Sequence, residues 1–187
     1  MLTRIGEELR RLLGWMTVDD AFADLFEGNE RYAAVEHEVA ESGVARRGLA
    51  ILTCIDSRID PLAVFGLHPG DAKILRNAGA RVTDDALRTL AVAAATLGVA
   101  RIAVVQHTDC AIASASDEDL VEAVAEATGS HPAGFEPLAI ADQEAVLRAD
   151  VDVVLASPLL RDGVVVAGLL LDLRSGRLTT VVEPRTG

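Results

Sequence analysis

Short strand-like segments alternate with helical patterns along this chain, and this alternation is what most limits its possible folds. Segments 49–53, 71–75 and 101–106 have the length of buried strands, and the first and third are largely apolar. Between the last two, an Ala-rich helical pattern begins at Thr83 and ends before Gly98. Strands that alternate with helices predict an α/β fold with a mainly parallel central sheet flanked by helices.

The two ends of the chain carry different patterns. Near the C-terminus, segments 164–173 and 177–182 flank a turn and predict an added antiparallel edge strand or hairpin. Apolar residues at helical spacing in the first 39 residues predict a helical N-terminal arm, which Gly28 could interrupt. We therefore predict an arm over 1–47 and an α/β domain over 48–187.

Two further helices are predicted between the third strand and the C-terminal hairpin. One is acidic and spans 117–128, and the other begins near Ala141. A loop with two prolines and two glycines, 129–137, separates them. Segment 151–155 could be the last turn of the second helix or a strand of its own.

Composition and charge exclude several classes of protein. Half of the residues are hydrophobic and 3% are aromatic, so the core must consist mainly of Ala, Val, Leu and Ile, and disorder is excluded. The formal net charge of −12 makes nucleic acid and anionic membrane surfaces poor partners. No stretch has the pattern of a signal peptide or a membrane span, which predicts a cytoplasmic protein with two reduced cysteines.

Polar clusters follow two of the predicted parallel strands. The first contains Cys54, Asp56 and Arg58, which share one face if the chain stays extended there. The second contains His107 and Cys110, whose spacing suits a tight turn that offers two ligands to one metal. The carboxyl ends of strands in open α/β sheets are where ligands bind, so we expect both clusters to line one site.

The chemistry of these clusters favours zinc. Two thiolates, an imidazole and a carboxylate suit zinc better than magnesium or calcium. Each residue alone would be ordinary, since a buried cysteine is usually a small apolar side chain and a histidine usually a satisfied polar one. The joint pattern is different, because the only two cysteines lie in the two polar clusters. A redox-active cysteine pair is the alternative.

Other candidate chemistry is weaker. His37, His68 and His131 lie in a Glu-rich helical pattern, a turn and a loop, and are expected to be surface residues. Ser57 has no obvious base near it in sequence. A nucleotide site is disfavoured, because neither a Gly-x-Gly-x-x-Gly motif nor a Walker-type lysine is present.

At these clusters the sequence resembles the β-class carbonic anhydrases. The resemblance rests on CIDSRIDP, GLHPGDAKILRNAGARVTDDALRTL and LGVARIAVVQHTDC in this order, and more weakly on SPLLRDGVVVAGLLLDLRSGRL. It spans residues 17–182 and implies a single zinc-binding domain with one Zn²⁺ per chain. The implied zinc ligands are Cys54, His107 and Cys110.

The resemblance also implies a reaction and an assembly. The reaction is the reversible hydration of carbon dioxide to bicarbonate and a proton by zinc-bound hydroxide. In the family's open state Asp56 pairs with Arg58 and water or hydroxide takes the fourth zinc position, whereas in the closed state Asp56 itself binds zinc. An obligate homodimer is implied, often a dimer of dimers, with the active site near the subunit interface.

One position departs from the family's pattern. Glycine usually follows the second cysteine ligand, whereas this chain has Ala111. A methyl group there could narrow the pocket or conflict with a backbone angle that glycine adopts freely. Ala111 and Gly79 are the candidate residues of the substrate pocket. Two alternatives stay open: a non-catalytic zinc protein closed by Asp56, and a hydrolase of a related small molecule such as carbon disulfide.

Overall fold

A computed structural model describes residues 21–35, 39 and 41–187. The predictions for the first helix and for His37 lie outside the described residues. The helices are α1 (Ala23–Ala33), α2 (Pro61–Val64), α3 (Asp84–Thr96), α4 (Asp117–Thr128) and α5 (Gln143–Leu155). The strands are β1 (Leu49–Cys54), β2 (Ala72–Asn77), β3 (Arg101–His107), β4 (Val165–Leu171) and β5 (Leu178–Thr186), with single 3₁₀ turns at Ala78–Ala80 and Ala111–Ala113.

The five strands form one sheet in the order β2-β1-β3-β4-β5. The first four are mutually parallel, and β5 pairs antiparallel with β4. This confirms the predicted α/β fold with an antiparallel strand added at its C-terminal edge. The predicted division into an arm and a domain at residue 48 stays a prediction.

Some predicted strand ends were wrong, and strand pairing explains them, whereas the structure decides two points that the sequence left open. Strand β2 continues beyond Leu75 to Asn77, because Asn77 pairs with Cys54 at the end of β1. Segment 151–155 is helical, since Val151 and Val154 of α5 are buried against the sheet. Gly28 does not interrupt α1, and β5 extends to Thr186 rather than residue 182 because its register with β4 continues past a bulge.

The two faces of the sheet are covered differently. On one face, residues such as Leu52, Val104 and Val166 pack with buried residues of α3 and α5 in the main core. On the other face, Ile51 and Val105 belong to a smaller cluster with residues of the α2 region. Among the described residues no helix is both long enough and apolar enough to cross a membrane. The carboxyl ends of β1, β2 and β3 meet at one edge between these two faces.

Candidate metal centre

Three metal-ligating side chains come together where the parallel strands β1 and β3 end. Cys54 is the last residue of β1, His107 is the last of β3, and the turn after β3 carries Cys110 to the same place. All three are buried, and their ligand atoms lie within 4.8 Å of one another. The structure thus brings together the three residues predicted to bind a metal, as a possible metal site.

The donor geometry of this site fits a zinc ion. The two sulfur atoms are 4.0 Å apart, and a tetrahedral zinc bound to both at about 2.3 Å would place them about 3.8 Å apart. His107 Nδ1 donates a hydrogen bond to the Thr108 carbonyl oxygen at 2.8 Å, which leaves the lone pair of Nε2 available to a metal. The buried Nε2 has no hydrogen-bond partner among the described residues, and an ion held here would satisfy it.

The side chains of this site also alter one another's pKa. A hydrogen bond with Cys110 is the main cause that lowers the pKa of Cys54 to about 4, against the effect of burial. The same contact, together with burial, raises the pKa of Cys110. Burial lowers the pKa of His107, but Cys54 and the Thr108 carbonyl outweigh it, so that the pKa is raised overall. Because metal ligands must be deprotonated, a bound ion would replace the proton held between the two sulfurs.

An aspartate and an arginine form a two-bond ion pair beside the three ligands. Arg58 Nε and Nη2 donate to Asp56 Oδ1 and Oδ2 at 2.9 and 2.7 Å. These hydrogen bonds are the main cause that lowers the pKa of Asp56 to about 2, and they also raise the pKa of Arg58. Asp56 Oδ2 lies 3.9 Å from His107 Nε2. The carboxylate therefore stands next to the possible metal site while both of its oxygens are bonded to Arg58.

Arg58 reaches Asp56 by a different route from the one predicted. An extended chain would place the two side chains on one face, but the chain turns after β1, and the amide of Arg58 donates to Asp56 Oδ1 at 3.0 Å. The extended-chain prediction was wrong for this segment. The turn nevertheless brings the two side chains together, because it folds the half-exposed arginine back over the carboxylate.

Two further residues hold this arrangement, and neither was predicted. Asp109 accepts from Arg58 Nη1 through Oδ2 at 2.7 Å and from Nη2 through its carbonyl at 2.8 Å. Arg76 donates to the carbonyls of Cys54 and Asp56 at 2.8 and 2.7 Å. The available signal for Arg76 was its place at the end of β2, beside β1. Asp109 gave no such signal, because its contact depends on its left-handed backbone, with φ of 57°.

Ala111 and Gly79 differ in what they require of the backbone. Ala111 begins a 3₁₀ turn and is exposed, and it is not among the described residues with positive φ. Glycine's freedom is therefore not needed at Ala111. Gly79 has φ of 76° and lies in the turn that follows Asn77, the pairing partner of Cys54, and its backbone also helps to lower the pKa of Cys54.

Substitution of Gly79 by alanine should destabilise the fold. A Cβ at Gly79 would lie 3.0 Å from Ile140 Cδ1 and 3.2 Å from Ile112 Cγ2. Gly66→Ala is the matched control, since Gly66 has φ of 59° and nothing within 4 Å of its Cβ position. In urea unfolding we expect Gly79→Ala to cost at least about 1 kcal/mol more than Gly66→Ala, because overpacking adds to backbone strain. Equal costs would contradict the packing argument.

Comparison with known proteins identifies the family. A family model described as carbonic anhydrase matches residues 49–178. The chain is 32% identical over 133 residues to beta-carbonic anhydrase 1 of Mycobacterium tuberculosis, a match that covers 71% of this chain and 81% of that protein. The chain belongs to the β-carbonic anhydrase family. The matched segment contains every residue of the candidate site.

Other members of the β-carbonic anhydrase family add detail. The crystal structure of carbonic anhydrase from Streptococcus mutans superposes with a TM-score of 0.81 at 31% identity, covering 89% of this chain and 99% of that one. A carbon disulfide hydrolase of Saccharolobus solfataricus is 47% identical over a shorter stretch of 64 residues, which covers 34% of this chain and 31% of that protein. Two activities therefore occur among the relatives.

Proposed function

We propose that this β-carbonic anhydrase family member is a zinc enzyme that hydrates carbon dioxide reversibly to bicarbonate and a proton. The observation that carries the proposal is the position of Asp56, which lies beside the three buried ligand atoms and is bonded through both oxygens to Arg58. Zinc bound by those ligands would lower the pKa of a water molecule to about 7.

Each residue of the site has a distinct role in the proposed reaction. Cys54, His107 and Cys110 would hold the metal. Asp56 accepts a hydrogen bond from the attacking water and orients its lone pair toward the carbon of carbon dioxide. Arg58 keeps Asp56 in that orientation and away from the metal. Bicarbonate then leaves the site, and the proton passes to buffer.

The pH dependence of the rate follows from these roles. The Asp56 pKa of about 2 and the raised pKa of Arg58 mean that neither group changes its charge between pH 6 and 9. A rise of the hydration rate between about pH 7 and 8.5 would therefore report the ionisation of the attacking water. We expect this rise in stopped-flow assays across pH 6 to 9, and a flat profile would contradict the proposal.

Hydrolysis of carbon disulfide is the second candidate function. It is favoured by the high identity of the shorter match to a carbon disulfide hydrolase. Both substrates are linear and apolar, so a site that orients water toward one carbon suits either. Measuring both activities on the same zinc-loaded sample separates them: release of hydrogen sulfide without carbon dioxide hydration would assign the hydrolase function.

We also propose that the chain acts as a homodimer or a dimer of dimers. Parallel sheets are almost always covered on both faces, yet the second face carries an open apolar groove of about 520 Å³. Leu25 and Phe26 of helix α1 are 62 and 70% exposed, and Phe22, which precedes the helix, is 64% exposed. Two apolar surfaces that residues 21–35, 39 and 41–187 leave exposed support pairing with a second copy. The groove is lined in part by Leu49, Ile51, Ala103, Val165, Ala167 and Leu169.

A charge in this groove should break the dimer. We expect Ala167→Arg to convert the protein to a monomer, because an arginine would be buried without a partner in the interface. Light scattering after size-exclusion chromatography measures the mass. Val92→Arg on α3 is the control, since Val92 is exposed on the opposite side of the sheet. A dimer that persists in Ala167→Arg would place the interface elsewhere.

A further inference from the structure

The turn after β2 has an unusual backbone. Gly79 and the next residue, Ala80, both have left-handed φ angles, of 76° and 57°. Ala80 is also fully buried. An alanine in this conformation is strained, so it persists only where its surroundings hold it. This turn follows Asn77, which pairs with Cys54 and accepts from the Ile55 amide through its carbonyl at 3.0 Å.

Side chains from two elements hold the turn. Asn77 closes it, because Asn77 Oδ1 accepts from the Arg81 amide at 2.8 Å and Nδ2 donates to the Arg81 carbonyl at 2.7 Å. The Arg81 guanidinium then donates to Asp150 Oδ2 at 2.8 Å and to the Leu138 carbonyl at 2.7 Å. Asp150 lies on α5 and its side chain is only 5% exposed. The turn is therefore tied to a helix far from it in sequence.

Helix α5 also contacts the other half of the site. Gln143, its first residue, donates through Nε2 to the carbonyl of His107 at 2.8 Å. One helix thus holds the backbone at His107 and, through Asp150, the turn that faces Cys54. A buried ion pair contributes little to stability compared with apolar residues of the same shape. The main effect of the Arg81–Asp150 pair is therefore to hold the turn in place.

We propose that Asp150 is a positioning residue for the metal centre, acting through Arg81 and the turn 77–81 on the backbone at Cys54. The inference rests on the proposed role of Cys54 as a metal ligand. Groups that hold metal ligands in place set the orientation of those ligands, and their loss commonly weakens metal binding by about 10–100-fold. Asp150 itself touches neither the metal ligands nor the substrate.

The first test is the zinc affinity of Asp150→Asn, measured by competition with a chelator. We expect a loss of about tenfold or more, and a shifted sulfur-to-metal absorption band in the cobalt-substituted protein. Asp152→Asn is the matched control, because Asp152 lies on the same helix but forms an exposed ion pair with Arg185. The control should bind zinc and cobalt as the unsubstituted protein does. Zinc affinity within threefold of the unsubstituted protein, with an unchanged cobalt band, would overturn the proposal.

A second variant keeps the test decisive if Asp150→Asn does not fold. Arg81→Gln combined with Asp150→Asn leaves no unpaired buried charge, and should fold. We expect this double variant still to bind zinc weakly, because the turn has lost its clamp. Adding Ala80→Gly should restore much of the affinity by removing the backbone strain. Normal zinc affinity in the double variant would overturn the positioning role, because the pair would then matter only by balancing two buried charges.

The failure of this proposal differs from the failure of the proposed function. Zinc affinity and the cobalt spectrum do not depend on turnover. If the unsubstituted protein binds zinc but hydrates no carbon dioxide, the function is wrong, and the effect of Asp150→Asn on zinc affinity still decides the positioning role.

Discussion

His107→Ala is expected to remove zinc and carbon dioxide hydration together. The imidazole supplies one of three buried ligand atoms, and its Nε2 has no hydrogen-bond partner among the described residues, which leaves it available to the metal. We expect the zinc affinity to fall by more than the roughly 10–100-fold that loss of a hydrogen bond to a ligand causes. Zinc content per chain and stopped-flow hydration are to be measured on the same sample.

Two further variants make the His107 result specific. His131→Ala removes an exposed histidine of the loop between α4 and α5, and should leave zinc content and rate unchanged. Cys110→Ser tests a second ligand with almost no change of side-chain volume, so that loss of zinc is not due to a cavity. Full zinc content in His107→Ala would show that the metal is held elsewhere.

Arg58→Ala is expected to keep zinc and lose most of the turnover. The substitution removes both side-chain hydrogen bonds that hold Asp56, so the carboxylate is free to move toward the metal or out of line with the attacking water. Misplacement of a catalytic group by about 1 Å can cost about 100-fold in rate, and we expect a fall of kcat/KM of this order. The measurement is stopped-flow hydration on protein with verified zinc content.

Three variants test the reason for this loss. Asp56→Asn should resemble Arg58→Ala, since it removes the group that Arg58 orients. Asp109→Asn should be milder, because the two-bond pair between Arg58 and Asp56 remains. Arg88→Ala, which breaks an exposed ion pair on α3, should have no effect. Full activity in Arg58→Ala would contradict the role assigned to the Asp56–Arg58 pair.

The sequence predicted the ends of a helix correctly where residues next to those ends determine them. Helix α4 has the predicted bounds of 117 and 128, because Ser116 caps its start and the left-handed Gly129 ends it. The end of β2 could not be predicted in this way. Its last pair, Asn77 with Cys54, depends on a neighbouring strand more than 20 positions away in sequence.

In the candidate site, too, residues with a signal in the nearby sequence could be predicted, and residues that act through distant contacts could not. Cys54 and His107 could be found because each ends an apolar strand, and Cys110 because it follows His107 by three positions. The contact of Asp109 with Arg58 depends on one left-handed backbone angle, which no residue type in that turn requires. Asp150 stands among apolar residues of a helix, and only the packing of α5 reveals that it faces Arg81.

The most direct test of the central claim is stopped-flow hydration of carbon dioxide at pH 8.5, on protein shown beforehand to contain one zinc ion per chain. We expect rapid turnover that disappears when a chelator removes the zinc and returns when zinc is restored. Absence of turnover in the zinc-loaded protein would contradict the proposed carbonic anhydrase activity. Hydrolysis of carbon disulfide or a non-catalytic role would then be the remaining functions for this site.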